Sequence, residues 1–305
     1  MPNWITNHLD IRADDAKIRE ILNAIKHDDG QLGSFDFNKL IPMPKDLDLT
    51  DGSITNQSIE AFLSQLVSSA SEKVRLSYPE QSMITQYYHA AANAFTRSFH
   101  DKPNINLTEQ QIADSAKNNE MSVNEFLALG KKYLDNQIQY GATTWYSWRT
   151  ANWGTKWNLG AEDCEQVNKS TLAFNTAWAS PQPIIEALSK KFPDVEFGLE
   201  WADEDLGNNV GTVTFKNGEM IDEYVPEPYS KEAYELAFEI ECAEAEDFSM
   251  VFDESSGTYV YSEELEEEED YEEVSSFDHQ LEVAKNKCLT EASHGTSQSE
   301  KDQER

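Results

Sequence analysis

The chain has 305 residues, enough for one large or two ordinary domains whose core needs no staples. It carries 57 acidic residues against 24 basic ones, a net charge of -33, and a field of that sign repels phosphate backbones and attracts basic surfaces. No run of about 18 apolar residues occurs, no basic-then-apolar leader opens the chain, and Cys164, Cys242 and Cys288 show no CxxC spacing; the expectation is a soluble intracellular protein of a reducing cytoplasm.

Residues Trp4 to Ile11 alternate, with Ile5, Asn7, Leu9 and Ile11 on one face, and predict a strand. Ile18, Ile21, Leu22 and Ile25 then recur at helical spacing, and Asp28-Asp29-Gly30 ends that helix. Phe35 to Ile41 reads as a second strand stopped by Pro42-Met43-Pro44. From about Asp46 to Thr150 the pattern is helical. Its stripes are Ile59, Phe62, Leu63 and Leu66; Ile84, Tyr87, Tyr88, Ala91 and Phe95; and Val123, Phe126, Leu127, Gly130 and Leu134. Thr108 with Gln111, and Ser122 with Glu125, fit the capping box.

A second strand-helix-strand unit runs from Thr171 to Trp178, through a helix opened by Ser180 and Pro181, to Val195–Trp201. A hairpin follows, Val210 to Lys216 and Glu219 to Val225, turned by Asn217-Gly218. Two such units and a hairpin predict an α+β fold of ferredoxin-like type, an antiparallel sheet with helices on one face and the strands of Trp4 and Thr171 as neighbours. The domain reading is 1–45 and 151–225 for the sheet in two halves, 46–150 for a helical insertion, 226–289 for an acidic carboxyl-terminal extension, and 290–305 for a disordered tail. Within the extension, a helix from Ser230 to Ala245, a hairpin from Met250 to Tyr261 and a last helix around Phe277 to Leu289 are expected.

Three tryptophan-centred cassettes stand out: Pro2-Asn3-Trp4-Ile5-Thr6-Asn7, Trp153-Gly154-Thr155-Lys156-Trp157 and Thr176-Ala177-Trp178-Ala179-Ser180-Pro181. Together with Ile41-Pro42-Met43-Pro44 and Phe192-Pro193, in this order, they resemble the Api92-like family, also called the YubB ferredoxin-like domain family, of bacteriophages and conjugative plasmids. The resemblance covers about residues 1 to 45 and 150 to 225. It implies a ferredoxin-like fold and a mobile-element origin, and it brings no known activity with it. Where the family often has cysteine after Pro-Asn-Trp, this chain has Ile5, so thiol chemistry does not carry over at that position.

Trp4, Asn7, Lys156, Trp157 and Trp178 form a candidate ligand-binding set, since indoles give rigid contact area and lysine engages anions or ring faces. The favoured alternative makes the tryptophans core plugs, with Trp157 and Trp178 mostly buried and Trp157→Ala costing roughly 3 to 5 kcal/mol, and makes Asn3 and Asn7 turn-stabilising side chains. The histidines lack paired-ligand spacing, and Glu200, Asp203, Glu204 and Asp205 lack the regular spacing of a calcium loop, so no metal and no cofactor is expected. No GxSxG, P-loop or GxGxxG context occurs, and no catalytic residue is assigned.

Charge is uneven: residues 219–305 hold 28 acidic and 5 basic side chains. A run of Glu263, Glu264, Glu266, Glu267, Glu268, Glu269 and Asp270, followed by Tyr271, is either a solubilising tail or a partner-binding surface. Because aromatics precede it (Phe248, Phe252, Tyr259 and Tyr261), carboxylates can stand in for phosphates while rings anchor the contact. The expectation is a non-enzymatic phage or plasmid accessory protein that binds a host protein with a basic surface. A nucleic-acid-handling defence enzyme inhibited by a DNA mimic is the leading form, without direct nucleic-acid or membrane binding. The alternative is a small-ligand or nucleotide-binding module, or an enzyme, at the tryptophan cassettes.

Overall fold

Residues 4–12 have an apolar side chain at almost every second position, and in the structure they are the strand around which a sheet is built. The structure is a computed structural model that describes residues 2–71, 77–97 and 102–262. The carboxylate run, its Tyr271, the expected last helix and the tail lie outside the described residues. In chain order the elements are β1 (Trp4–Arg12), α1 (Asp15–Ile25), α2 (Ser53–Ser71), α3 (Tyr78–Arg97), α4 (Glu109–Asn118), α5 (Val123–Tyr140), α6 (Trp145–Asn152), β2 (Cys164–Gln166), β3 (Thr171–Ala177), α7 (Gln182–Lys191), β4 (Glu196–Asp203), β5 (Gly211–Lys216), β6 (Glu219–Tyr224), α8 (Lys231–Glu241), β7 (Met250–Asp253) and β8 (Thr258–Tyr261). They divide into two compact units, residues 43–151 and the rest.

The sheet unit is antiparallel in the order β2-β3-β1-β4-β5-β6. β1 pairs with β3, Trp4 opposite Ala177 and Leu9 opposite Leu172, and on its other side with β4, Leu9 opposite Leu199. The ferredoxin-like arrangement expected from the sequence is therefore present, with the two predicted first strands adjacent. Alternation sorts the side chains. Ile5, Leu9, Ile11, Leu172, Phe174, Phe197, Leu199, Val213 and Phe215 share one face and are buried, as are the apolar stripes of α1 (Ile18, Ile21, Leu22, Ile25) and α7 (Ile184, Ile185, Leu188). The opposite face carries Trp4, Thr6, His8 and Asp10. There α8 packs Ala233, Tyr234, Ala237 and Phe238 against Ala202, and Met250 of β7 joins that cluster. Residues 231–250 thus contribute to the core of this unit.

The β5–β6 turn follows its sequence signal, with Asn217 at φ 52° and Gly218 at φ 76°, the left-handed pair that an Asn-Gly hairpin turn demands. Phe35–Ile41 corrects the expectation, for it is not a strand. Asp36 N–H donates to Ile25 O (2.8 Å), Phe37 N–H donates to the Asn158 side chain (2.9 Å), and the Asp36 carboxylate accepts from Asn38 N–H to start a 3-10 turn over Phe37–Lys39. Phe35 and Phe37 instead plug the core edge to face, 5.1 Å apart, against Phe174 and Trp153. The place beside β3 goes to β2, a short polar strand that no periodicity announced. Nor does Ser180 cap α7: Pro181 holds the cap position, and no side chain caps there.

The helical unit is built from α2 to α5 and most of α6. Both capping boxes form, Thr108 with Gln111 and Ser122 with Glu125. Ile59, Leu63, Tyr87, Ala91, Phe95 and Leu134 make one cluster, and Ile112, Ala116 and Phe126 make another with Ala61; Tyr88 and Val123, read into the stripes, face solvent. Tyr133 Oη donates to Thr50 O (2.6 Å) and the Asn136 amide to Asp46 O (2.8 Å), tying α5 to the segment before α2. α5 meets α2 so closely that a Cβ on Gly130 would sit 2.0 Å from Ser58 O. Gly130→Ala therefore forces the helices apart and should destabilise this unit by about 1 to 3 kcal/mol. A denaturation midpoint equal to the parent's would show that no such close approach exists.

Candidate functional site

The candidate set meets at the end of the sheet where β1 begins and β3 and β4 end. Trp178 N–H donates to Asn3 O (2.8 Å) and Glu204 N–H to Trp4 O (2.9 Å), so the amino-terminal segment is clamped between the two neighbouring strands. Asn3 Nδ2 donates to Asp203 Oδ1 (3.2 Å). Asp203 is buried and also accepts from Asp205 N–H and the Asn209 amide. That carboxylate is thereby committed to shaping a loop, and among the described residues no group of His, Cys, Asp and Glu has an arrangement that would hold a metal ion.

Of the expected set, four residues come together. The Trp4 and Trp157 rings lie 5.9 Å apart, tilted by 41°. Lys156 Nζ sits 4.4 Å from the Trp157 ring centroid and 4.5 Å from that of Trp178, a cation held between two indole faces. Trp178 has φ 72°, a conformation that costs a bulky residue about 1 to 3 kcal/mol unless its surroundings impose it. They do impose it. Thr155 Oγ1 donates to Ala177 O (2.8 Å) just before it, and Thr176 Oγ1 donates to Ala179 O (2.9 Å) across it.

Asn7, the fifth, is not at the surface: it is fully buried, on the other face of β1 from Trp4. Its amide donates to Ile5 O (2.8 Å), Phe174 O (3.3 Å) and Thr176 Oγ1 (2.9 Å), so it supports the turn that carries Trp178 and has no access to a ligand. The core-plug reading is corrected for Trp178, which is 40% exposed, whereas Trp4 and Trp157 are partly buried; within the cassettes Trp153 is the fully buried indole, its Nε1–H donating to Ile41 O (2.9 Å).

Beside Trp4 and Trp157 runs a groove of about 690 Å³, lined by the outer side of β3 from Ala173 to Ala177 and by the loop from Asn158 to Glu165. Sequence reasoning missed this loop, which carries the exposed Glu162, Asp163 and Glu165; only its polar composition was visible. Elsewhere on the same face, Glu200 stands opposite His8. The Glu200 side chain reaches solvent, yet desolvation first, and then the charges of Glu239 and Asp10, push its carboxyl above the usual range against a weaker pull from Arg12.

Residues 152–248 match the family model for the ferredoxin-like domain in Api92-like protein, a span that holds the second and third cassettes and Phe192-Pro193. The solved structure of a protein api92 from Yersinia pseudotuberculosis is similar at 10% identity, over 75% of this chain and 100% of that one, with a TM-score of 0.32, an overlay too loose to argue from. No curated protein matches the chain. No helix among the described residues is long and apolar enough to cross a membrane.

Two outcomes are expected from these environments. Trp153→Ala should cost about 3 to 5 kcal/mol through a closed cavity, and Trp157→Ala only about 1 to 2 kcal/mol, since the space left by a partly exposed ring opens to solvent; equal losses in denaturant titrations would refute the difference. Glu200→Gln should raise stability at pH 7. A carboxyl whose folded pKa is raised favours the fold below its unfolded pKa and loses that contribution as pH rises through the folded value, so the gain should vanish below about pH 4. A gain of the same size at both pH values would point away from the charge.

Proposed function

Starting from a chain whose residues 152–248 are a ferredoxin-like domain of the Api92-like kind, we propose a non-enzymatic accessory protein of a mobile element that binds the basic surface of a host nucleic-acid-handling protein and competes with DNA for it. The observation that carries this reading is the edge strand β6 and its exit. All six residues of β6 are exposed, and the pairs Met220-Ile221 and Tyr224-Val225, 48% to 55% exposed, are interspersed there with Glu219, Asp222 and Glu223. Phe252 and Tyr261 are exposed on the β7–β8 hairpin, close in sequence to Asp253 and Glu254. Carboxylates supply the phosphate-like field, and apolar side chains supply area that gains from desolvation. Glu263 to Tyr271 extend the same composition along the chain.

A second reading, a small-ligand module at the tryptophan cassettes, is favoured by the groove beside Trp4 and Trp157. Its carboxylates speak against a nucleotide, whose phosphates they would repel.

The test is a host-lysate capture with the full chain and with a version ending at Ser262. Truncating earlier, at Val225, would strip α8 from the sheet and expose Ala202 and Leu206. For the captured protein, reversing Glu219, Asp222 and Glu223 to lysine, and separately the run from Glu263 to Asp270, should lower the association rate about tenfold and flatten its salt dependence while the melting curve is unchanged. Association rates that stay the same in both reversed variants, at low and at high salt, would sink the reading.

A further inference from the structure

The outer edge of β3 is only partly covered. Antiparallel pairing makes alternate residues of a strand bond to one neighbour and the rest to the other. Trp178 N–H bonds to Asn3 O on the β1 side, so Thr176, Phe174 and Leu172 also turn their main-chain groups toward β1, and Asn175 and Ala177 turn theirs outward. β2 covers that outer side from Leu172 to Phe174, and its pairing of Cys164 with Phe174 sets Asp163 O against Asn175 N–H. Ala177 O is taken by Thr155 Oγ1. The C=O of Asn175 and the N–H of Ala177 turn outward beyond that pairing, on the side of the groove. These two groups are what an incoming strand needs for its first bonds.

The walls indicate what that strand carries. Glu162, Asp163 and Glu165 line the groove, and no lysine or arginine does. At its end, Trp4 and Trp157 present indole surface, and the far side of the same cluster already holds an ammonium group, that of Lys156, against two rings. We infer that the groove binds an extended peptide segment bearing lysine or arginine, which adds as a short strand beside β2 along Asn175–Ala177 and sets a cationic side chain against Trp4 and Trp157. The main chain gives register, the carboxylates give preference for basic sequence, and the indoles take the cation once it is desolvated. This site lies on the β2–β3 side of the sheet, at the opposite edge from β6, and does not rest on the function proposed above.

The experiment uses the full chain and a fluorescein-labelled, acetylated peptide Val-Lys-Val-Arg-Val, with anisotropy for affinity and amide hydrogen exchange for position. Binding should slow exchange at Ala177. A peptide N-methylated at alternate main-chain nitrogens, with the same charges, should bind about tenfold more weakly. Glu162→Gln with Glu165→Gln should weaken binding about fivefold, and Trp157→Ala to a similar extent. Glu219→Lys with Glu223→Lys, at the far edge, should leave this affinity unchanged even where it abolishes capture of a host protein, so each proposal can fail alone. Equal affinity of the N-methylated peptide, or unaltered exchange at Ala177 under saturating peptide, would overturn the inference by reducing the interaction to charge attraction.

Discussion

Everything in the sheet unit depends on the pairing of β1 with strands from the other half of the chain. Leu9 contacts Leu172 on one side and Leu199 on the other, and neither pairing can form until the long excursion between them has been closed. A contact of that sequence separation earns no free energy early in folding, so the sheet should assemble late relative to the local helices of residues 43–151. The same pairing delivers Trp4 to Trp157. The contact between the first and the middle cassettes therefore exists only in the completed sheet, and its geometry reports on β1 directly.

Legibility in the sequence followed how local the causes were. The Asn217-Gly218 turn, both capping boxes and the alternation of β1 were readable because each is decided within a few residues. Phe35–Ile41 was misread because two aromatics at alternate positions look like a strand face. What decides that segment is the Asn158 side chain, which claims the Phe37 N–H from far along the chain. β2 was invisible for the complementary reason, since Cys-Glu-Gln has no apolar period and is a strand only because β3 offers an edge. At the candidate site the structure brings four of the five residues together, yet periodicity assigned Asn7 and Ile5 to one face without saying that this face is the core.

The indoles show how one residue type divides between enclosed core and partly exposed surface. Trp153 is enclosed and its N–H is satisfied by Ile41 O, the condition under which a buried indole stabilises without penalty. Trp178 is held in a left-handed conformation by its neighbours, partly exposed, with a lysine against its face. Stability alone gives no reason for that arrangement, because a small residue at the same φ would cost less. The strain is maintained by the Thr155 and Thr176 hydroxyls, which fix the chain on either side of Trp178.

The electrostatics lead the same way. The cations on the sheet and helices are largely engaged in exposed pairs, Lys17 with Glu20, Lys39 with Asp28, Lys169 with Asp15, Lys190 with Glu186 and Lys216 with Glu196. Such pairs contribute roughly 0 to 1 kcal/mol each and neutralise charge only locally. With 57 acidic residues against 24 basic ones, most of the negative charge has no internal counterpart, and its mutual repulsion opposes compaction. A fold that needed only solubility would be served by far less. At both edges of the sheet, β6 and the groove along β3, carboxylates stand beside exposed main chain or exposed apolar and aromatic side chains, so any partner that relieves the repulsion also finds surface to desolvate. On the proposed reading, that coupling would give a basic partner both a fast approach and a reason to stay.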